Sequence, residues 1–105
     1  MADFEAIYQV VALIPYGKVS TYGAIAGYLG SKGGAGLVGW AMNASHGQAH
    51  IPAHRVVNRN GLLTGKNFFG GNRMQELLEA EGITIKDDQI IDFTSHFWDP
   101  SAELL

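Results

Sequence analysis

Three histidines, His46, His50 and His54, recur at intervals of four, a spacing that on a helix aligns imidazoles on one face for a metal. Pro52 falls inside the run and breaks any such helix. Neither a cysteine nor a nearby carboxylate completes the set, so a loop of solvent-facing or locally bonded imidazoles is expected, with no metal and no cofactor. The chain has no cysteine at all, which removes disulfides, thiolate metal sites and any sulfur nucleophile. Ser20 and Ser45 lack the strand-turn-helix glycine frame that exposes a nucleophilic serine. Fourteen glycines occur, yet none fits a phosphate-cradling or dinucleotide fingerprint, and they are read as turns and points of close approach.

The chemistry that remains is electrostatic. A net charge of -3 over 105 residues argues against a nucleic-acid partner when taken alone, since phosphate contacts need cations. The distribution reverses this. No carboxylate lies between Ala6 and Gln75, whereas Lys18, Lys32, Arg55, Arg59, Lys66 and Arg73 all do. An acid-free, basic middle flanked by acidic ends is a footprint suited to phosphate, although a quiet polar surface that happens to lack acids gives the same count.

The elements that must carry these residues follow from periodicity. At 47% hydrophobic and 16% charged residues, the chain is too apolar for disorder and has no apolar run long enough to cross a bilayer. A single domain over residues 1–105 is expected. The acidic N-terminus does not resemble a signal peptide, and a cytoplasmic address follows. Phe4, Ile7, Tyr8, Val11 and Ile14 predict a first helix, with Asp3 as its cap and Pro15 as its stop. Thr21 is placed as the N-cap of a second helix carrying Tyr22, Ile25, Ala26 and Leu29, with Gly30 at its exit. Leu37, Val38, Ala41 and Met42 mark a third, which completes a helix-turn-helix. Val56-Val57-Asn58, Arg59-Asn60-Gly61 and Leu62-Leu63 predict a hairpin, the wing of a winged helix. Residues 66–71 form a loop. Asn72 and Gln75 open a further helix in the manner of a capping box, Gly82 closes it, and a small hairpin around Asp87-Asp88 follows. The expected class is mainly α with a short β-hairpin, a winged helix-turn-helix.

Pro52-Ala53-His54-Arg55-Val56 resembles the Pro-Cys-His-Arg-Val signature of the O6-alkylguanine-DNA alkyltransferases, with alanine in the cysteine place. Ile14-Pro15-Tyr16-Gly17-Lys18-Val19-Ser20-Thr21-Tyr22-Gly23 is similar to the segment entering that family's helix-turn-helix. Val38-Gly39-Trp40-Ala41-Met42 is similar to the end of its recognition helix, and Glu81-Gly82 to its closing helix. The likeness runs in order over about residues 4–83. With the cysteine replaced, the chain resembles the alkyltransferase-like members, and the resemblance implies a protein that binds O6-alkylguanine in double-stranded DNA without repairing it and passes it to nucleotide excision repair proteins. A monomer with no membrane association is expected.

Carried across residue by residue, the resemblance makes Ala53, His54 and Glu81 a vestigial relay, a hydrogen-bonded pair with no nucleophile to serve. It implies a lesion pocket lined by Tyr22, Met42, Ala53, Val56, Asn67 and Phe68, roomy enough for bulky O6 substituents. It implies a DNA-facing set of Lys18, Ser20, Thr21, Tyr22, Lys32, Gly34, Ala35, Gly36, Arg59 and Lys66. Tyr22 also reads as an ordinary core aromatic with Ile25 and Leu29, and Arg55, a phosphate candidate by charge, also reads as an internal arginine. Gly36 stands where the family carries an arginine finger; either Lys32 or Leu37 substitutes, or the flipped state is less stable and affinity lower, and the second is expected. Two other functions share the scaffold: a winged-helix regulator of undamaged DNA, disfavoured by the few base-reading side chains between Gly33 and Met42, and a dealkylase using water activated by His54.

Overall fold

The computed structural model describes residues 4–104, and the proposed Asp3 cap lies outside them. The elements, in order, are α1 (Phe4–Val11), β1 (Ser20–Thr21), α2 (Tyr22–Leu29), α3 (Gly34–Ala44), a 3-10 turn (Ala53–Arg55), β2 (Val56–Val57), α4 (Lys66–Phe69), α5 (Arg73–Ala80), β3 (Ile85–Lys86), β4 (Gln89–Ile90), α6 (Phe93–His96) and α7 (Pro100–Glu103). None of these helices is long and apolar enough to cross a membrane.

The helix-turn-helix forms as its sequence signals require. Thr21 is extended, and its hydroxyl accepts a hydrogen bond from the Ala24 amide at 3.0 Å, satisfying one of the orphan donors of α2. Gly30 ends the helix in the left-handed region at φ 62, where a Cβ would be strained. The α2–α3 packing is the most extensive between any two elements. Ile25, Ala26, Val38, Ala41 and Met42 enter one core with Ile7, Val10 and Val11, and the Tyr8 hydroxyl donates to the Ala41 carbonyl at 2.9 Å, fixing α1 to α3. Thr21→Ala should cost about 1 kcal/mol. Ser20→Ala, which deletes a buried hydroxyl without a partner, should leave stability unchanged or raise it; urea melts of both variants check the contrast.

The wing is where the sequence reading fails. Val56–Val57 does not fold back on Leu62–Leu63 but pairs in parallel with Ser20–Thr21. Both valines are buried, at 1% and 0% exposure, and a strand buried on both faces belongs inside, not on a half-solvated hairpin. The turn itself is real: the Asn58 carboxamide accepts from the Asn60 and Leu62 amides at 2.9 and 2.8 Å, an Asx-type closure. Leu62 then bridges to Gln89 instead of to Val57. The hairpin expected near Asp87-Asp88 does form, Ile85 against Ile90 and Lys86 against Gln89, with both turn residues at positive φ, as a type I′ turn demands.

Smaller corrections have local causes. The first helix stops at Val11 and continues to Ile14 only as turns. Residues 66–69 make one helical turn instead of a loop. Asn72 precedes α5 without a side-chain cap bond, because its backbone is not extended as capping requires. The C-terminal segment docks against the entry to β1: the Val19 amide donates to the His96 carbonyl at 2.9 Å and the Trp98 amide to the Val19 carbonyl at 2.7 Å, and Trp98 is 7% exposed in the core.

Candidate nucleic-acid interface

Pro52 leads into the 3-10 turn Ala53–Arg55, which turns Ala53 inward and sends His54 and Arg55 toward the end of α5. Both meet Glu81. The His54 Nε2 lies 2.7 Å from Glu81 Oε2, and Arg55 Nε donates to both carboxylate oxygens at 3.0 Å. Arg55 Nη1 donates to the Ile14 carbonyl at 2.9 Å. From the other side the Gly17 amide donates to Glu81 Oε1 at 2.7 Å, presented by a turn whose φ of 81 suits only glycine. A carboxylate only 5% exposed thus joins the exit of α1, the turn before β1, the 3-10 turn and the end of α5.

The electrostatics follow from that geometry. Burial by itself raises the Glu81 carboxyl, but the hydrogen bonds from Arg55, the Gly17 amide and His54, with the Arg55 charge, outweigh it and hold the pKa below the usual carboxylate value. Burial pushes the His54 imidazole below its ordinary pKa, and the bond to Glu81 and that residue's charge do not overcome it; the Arg55 and Arg73 cations push the same way. His54 is therefore neutral at pH 7 and donates its Nε2 proton to Glu81. Arg55 takes the internal role, its guanidinium held by Glu81 and the Ile14 carbonyl.

Above Ala53 is a cavity of about 270 Å³ between α2, α3 and α4, just under the range of about 300 Å³ upward that whole small molecules occupy. Tyr22, Met42, Ala53, Val56 and Phe68 line it as the sequence reading expects, and Asn67 does not. Trp40, Asn43, His46 and Phe69 line it as well. His46 stands edge-on to Phe69 with ring centroids 4.6 Å apart, a role that no spacing could signal from within a loop. The walls carry no carboxylate, lysine or arginine, so the cavity suits a planar, largely apolar group. On the far side of Ala53 a larger open groove of about 610 Å³ runs along the segment of His46, His50 and His54 to Arg73. Among the described residues no three histidine or acidic side chains are grouped to hold a metal.

The other residues of the expected DNA-facing set are dispersed. Ser20 and Thr21 are buried at 0% and 7% exposure, with the Thr21 hydroxyl committed to its cap. Lys32, Ala35, Gly36 and Arg59 are exposed, and Gly34 is half-buried at the start of α3. Lys18 donates to the Ser95 carbonyl at 3.0 Å, and Lys66 pairs with Asp88. Leu37 is half-buried against the core.

The family model of the 6-O-methylguanine DNA methyltransferase DNA-binding domain matches residues 3–83. Alkyltransferase-like protein 1 of Schizosaccharomyces pombe is 37% identical over 92% of this chain and 94% of its own. The chain belongs to the O6-alkylguanine-DNA alkyltransferase family, as an alkyltransferase-like protein. The DNA base-flipping protein of Escherichia coli is 36% identical over 90% of this chain and 72% of its own. The crystal structure of the S. pombe protein with damaged DNA containing O6-carboxymethylguanine superimposes with a TM-score of 0.82, covering 92% of this chain and 94% of that one. In this alkyltransferase-like protein the residue before His54 is Ala53, and with no cysteine in the chain there is no thiol to take an alkyl group.

Proposed function

We propose that this alkyltransferase-like protein is a non-enzymatic sensor of O6-alkylguanine in double-stranded DNA. It docks the α2–α3 helix-turn-helix in the minor groove, turns the damaged nucleotide into the cavity above Ala53, and holds it unrepaired as a flag for nucleotide excision repair proteins. The observation that carries this reading is a mainly apolar cavity lined at the signature position by the Ala53 methyl. A methyl group cannot attack carbon, so what enters the cavity leaves unchanged. The S. pombe relative's complex with O6-carboxymethylguanine DNA and the E. coli relative's name as a base-flipping protein support it.

Tyr22, Met42, Ala53, Val56 and Phe68 hold the base, with Tyr22 at the mouth so that it also meets the backbone, and Asn67 beside Phe68 on α4. Lys18, Lys32, Arg59 and Lys66 neutralise phosphates, while Gly34, Ala35 and Gly36 let the backbone of α3 approach the duplex. Ser20 and Thr21 act through the position they give α2. The damaged base pairs weakly, which lowers the cost of extruding it. The protein acts as one domain over residues 1–105, as a monomer in the cytoplasm or nucleoid.

Matched duplexes with and without one O6-methylguanine test the reading, binding being measured at fixed salt while the DNA is assayed for methyl loss. Preferential binding with the methyl retained is expected. Equal binding of both duplexes would instead indicate a regulator or general DNA binder, and methyl loss would mean catalysis without cysteine. Because Ala53 lines both the cavity and the large groove, an O6-benzylguanine duplex should bind within about tenfold of the methyl one, a difference of roughly 1.4 kcal/mol at most. Exclusion of the benzyl adduct to the level of normal guanine would overturn that expectation.

A further inference from the structure

The outer face of α3 carries one side chain that the lesion-binding reading leaves unused. Val38, Ala41 and Met42 turn into the core, and Ala35, Gly36, Trp40 and Asn43 face outward. Gly36, Trp40 and Asn43 stand at i, i+4 and i+7, so they share a stripe. Trp40 is 65% exposed, an unusual position for the largest apolar side chain. It is supported from one side by an edge-on contact with Phe4, centroids 6.0 Å apart, and it also lines the mouth of the cavity. A Cβ added at Gly36, one helical turn earlier, would meet nothing within 4 Å. An exposed, braced indole therefore projects from a helix face otherwise made of glycine, alanine and one asparagine.

Turning a nucleotide out of a duplex leaves a gap in the base stack, and proteins that open a base step from the minor groove commonly fill it with an apolar wedge. Of the outward residues on α3 only Trp40 has a π-face. Lys32, before the helix, is a flexible cation with no ring, and Leu37 is held against the core. We propose that Trp40 is this chain's wedge: its indole stacks on the base pairs flanking the extruded nucleotide while the base occupies the adjoining cavity. The inference rests on the lesion-binding reading above. It gives the exposed tryptophan an occupant of stated chemistry, the face of a DNA base.

Wild type, Trp40→Phe and Trp40→Ala are compared for binding to duplexes with and without one O6-methylguanine, with circular dichroism confirming that each is folded. Loss of a base–aromatic stack predicts that Trp40→Ala binds the lesion duplex about tenfold or more weakly, while Trp40→Phe, which keeps a ring, stays within about threefold of wild type. The chain has two tryptophans, and Trp98 is buried at 7% exposure. Subtracting the Trp40→Phe spectrum therefore isolates Trp40, whose emission should be quenched by the lesion duplex far more than by the matched one at equal saturation. If Trp40→Ala binds the lesion duplex as wild type does, or Trp40 emission is unchanged at saturation, the wedge is wrong and lesion recognition stands. If wild type itself does not prefer the lesion duplex, the sensor reading falls and the wedge with it.

Discussion

Replacing Glu81 with alanine should destabilise the protein by about 3–5 kcal/mol, the cost of leaving the largely buried Arg55 cation without its carboxylate. That is a large share of the roughly 5–15 kcal/mol that holds a domain folded. The magnitude follows from what one side chain serves: Arg55, His54 and the Gly17 amide all lose their acceptor at once, and the Arg55 guanidinium keeps only the Ile14 carbonyl. Glu81→Gln keeps the shape and some bonds and should cost less. Denaturant melts of the two variants make the test, and an alanine variant within about 1 kcal/mol of wild type would mean that this centre is not what ties the helices together.

The same centre sets the acid sensitivity. The folded pKa of Glu81 is lowered, so its contribution is complete above its unfolded value of about 4.3 and is lost as pH falls through the folded value. The folded pKa of His54 is also lowered. Below about pH 6.5 the unfolded chain therefore takes up a proton that the folded one refuses, and stability falls. Both groups act in the same direction. Thermal melting should be flat above about pH 6.5, decline below it and steepen near pH 4. In Glu81→Gln the steep arm should be lost.

Binding to the lesion duplex should fall about a hundredfold between 50 and 200 mM salt. Four phosphate contacts, from Lys18, Lys32, Arg59 and Lys66, give a log–log slope of about -3.6, since each released counterion contributes roughly -0.9. Arg55 adds nothing because its charge is spent on Glu81, and Lys66 must exchange Asp88 for phosphate. Deleting Lys32 or Arg59 should bring the slope to about -2.7 with lesion preference retained. A slope near zero would remove the electrostatic part of the interface, and one near -6 would mean that further cations take part.

Much of this was legible in the residues. Thr21 and Gly30 mark the ends of α2 because capping and left-handed turns are local chemistry, decided within four residues. The periodicity of Val38, Ala41 and Met42 fixes the buried face of α3 for the same reason, and with it the place of Met42 in the cavity wall. The ordered motifs around Pro52-Ala53-His54-Arg55-Val56 identify the family, and the missing cysteine by itself excludes alkyl transfer to a thiol.

What depends on partners far along the chain was not legible. Val56–Val57 looks like half of a hairpin until its burial on both faces is known, because a strand's partner is chosen by the core that covers it and not by the nearest turn. Arg55 reads equally as a phosphate-facing cation and as an internal arginine until folding brings Glu81 beside it. A stretch without acids in the sequence is not an acid-free surface, for Glu81 and Asp88 come back onto it and neutralise Arg55 and Lys66. Trp40 follows the same rule: its spacing from Gly36 is written in the sequence, but only the packing of α1 and α2 against α3 decides that this face of the helix is left open. Sequence settled what local bonding can settle, and tertiary structure decided which charges remain free and which faces remain bare, because both depend on contacts between residues tens of positions apart.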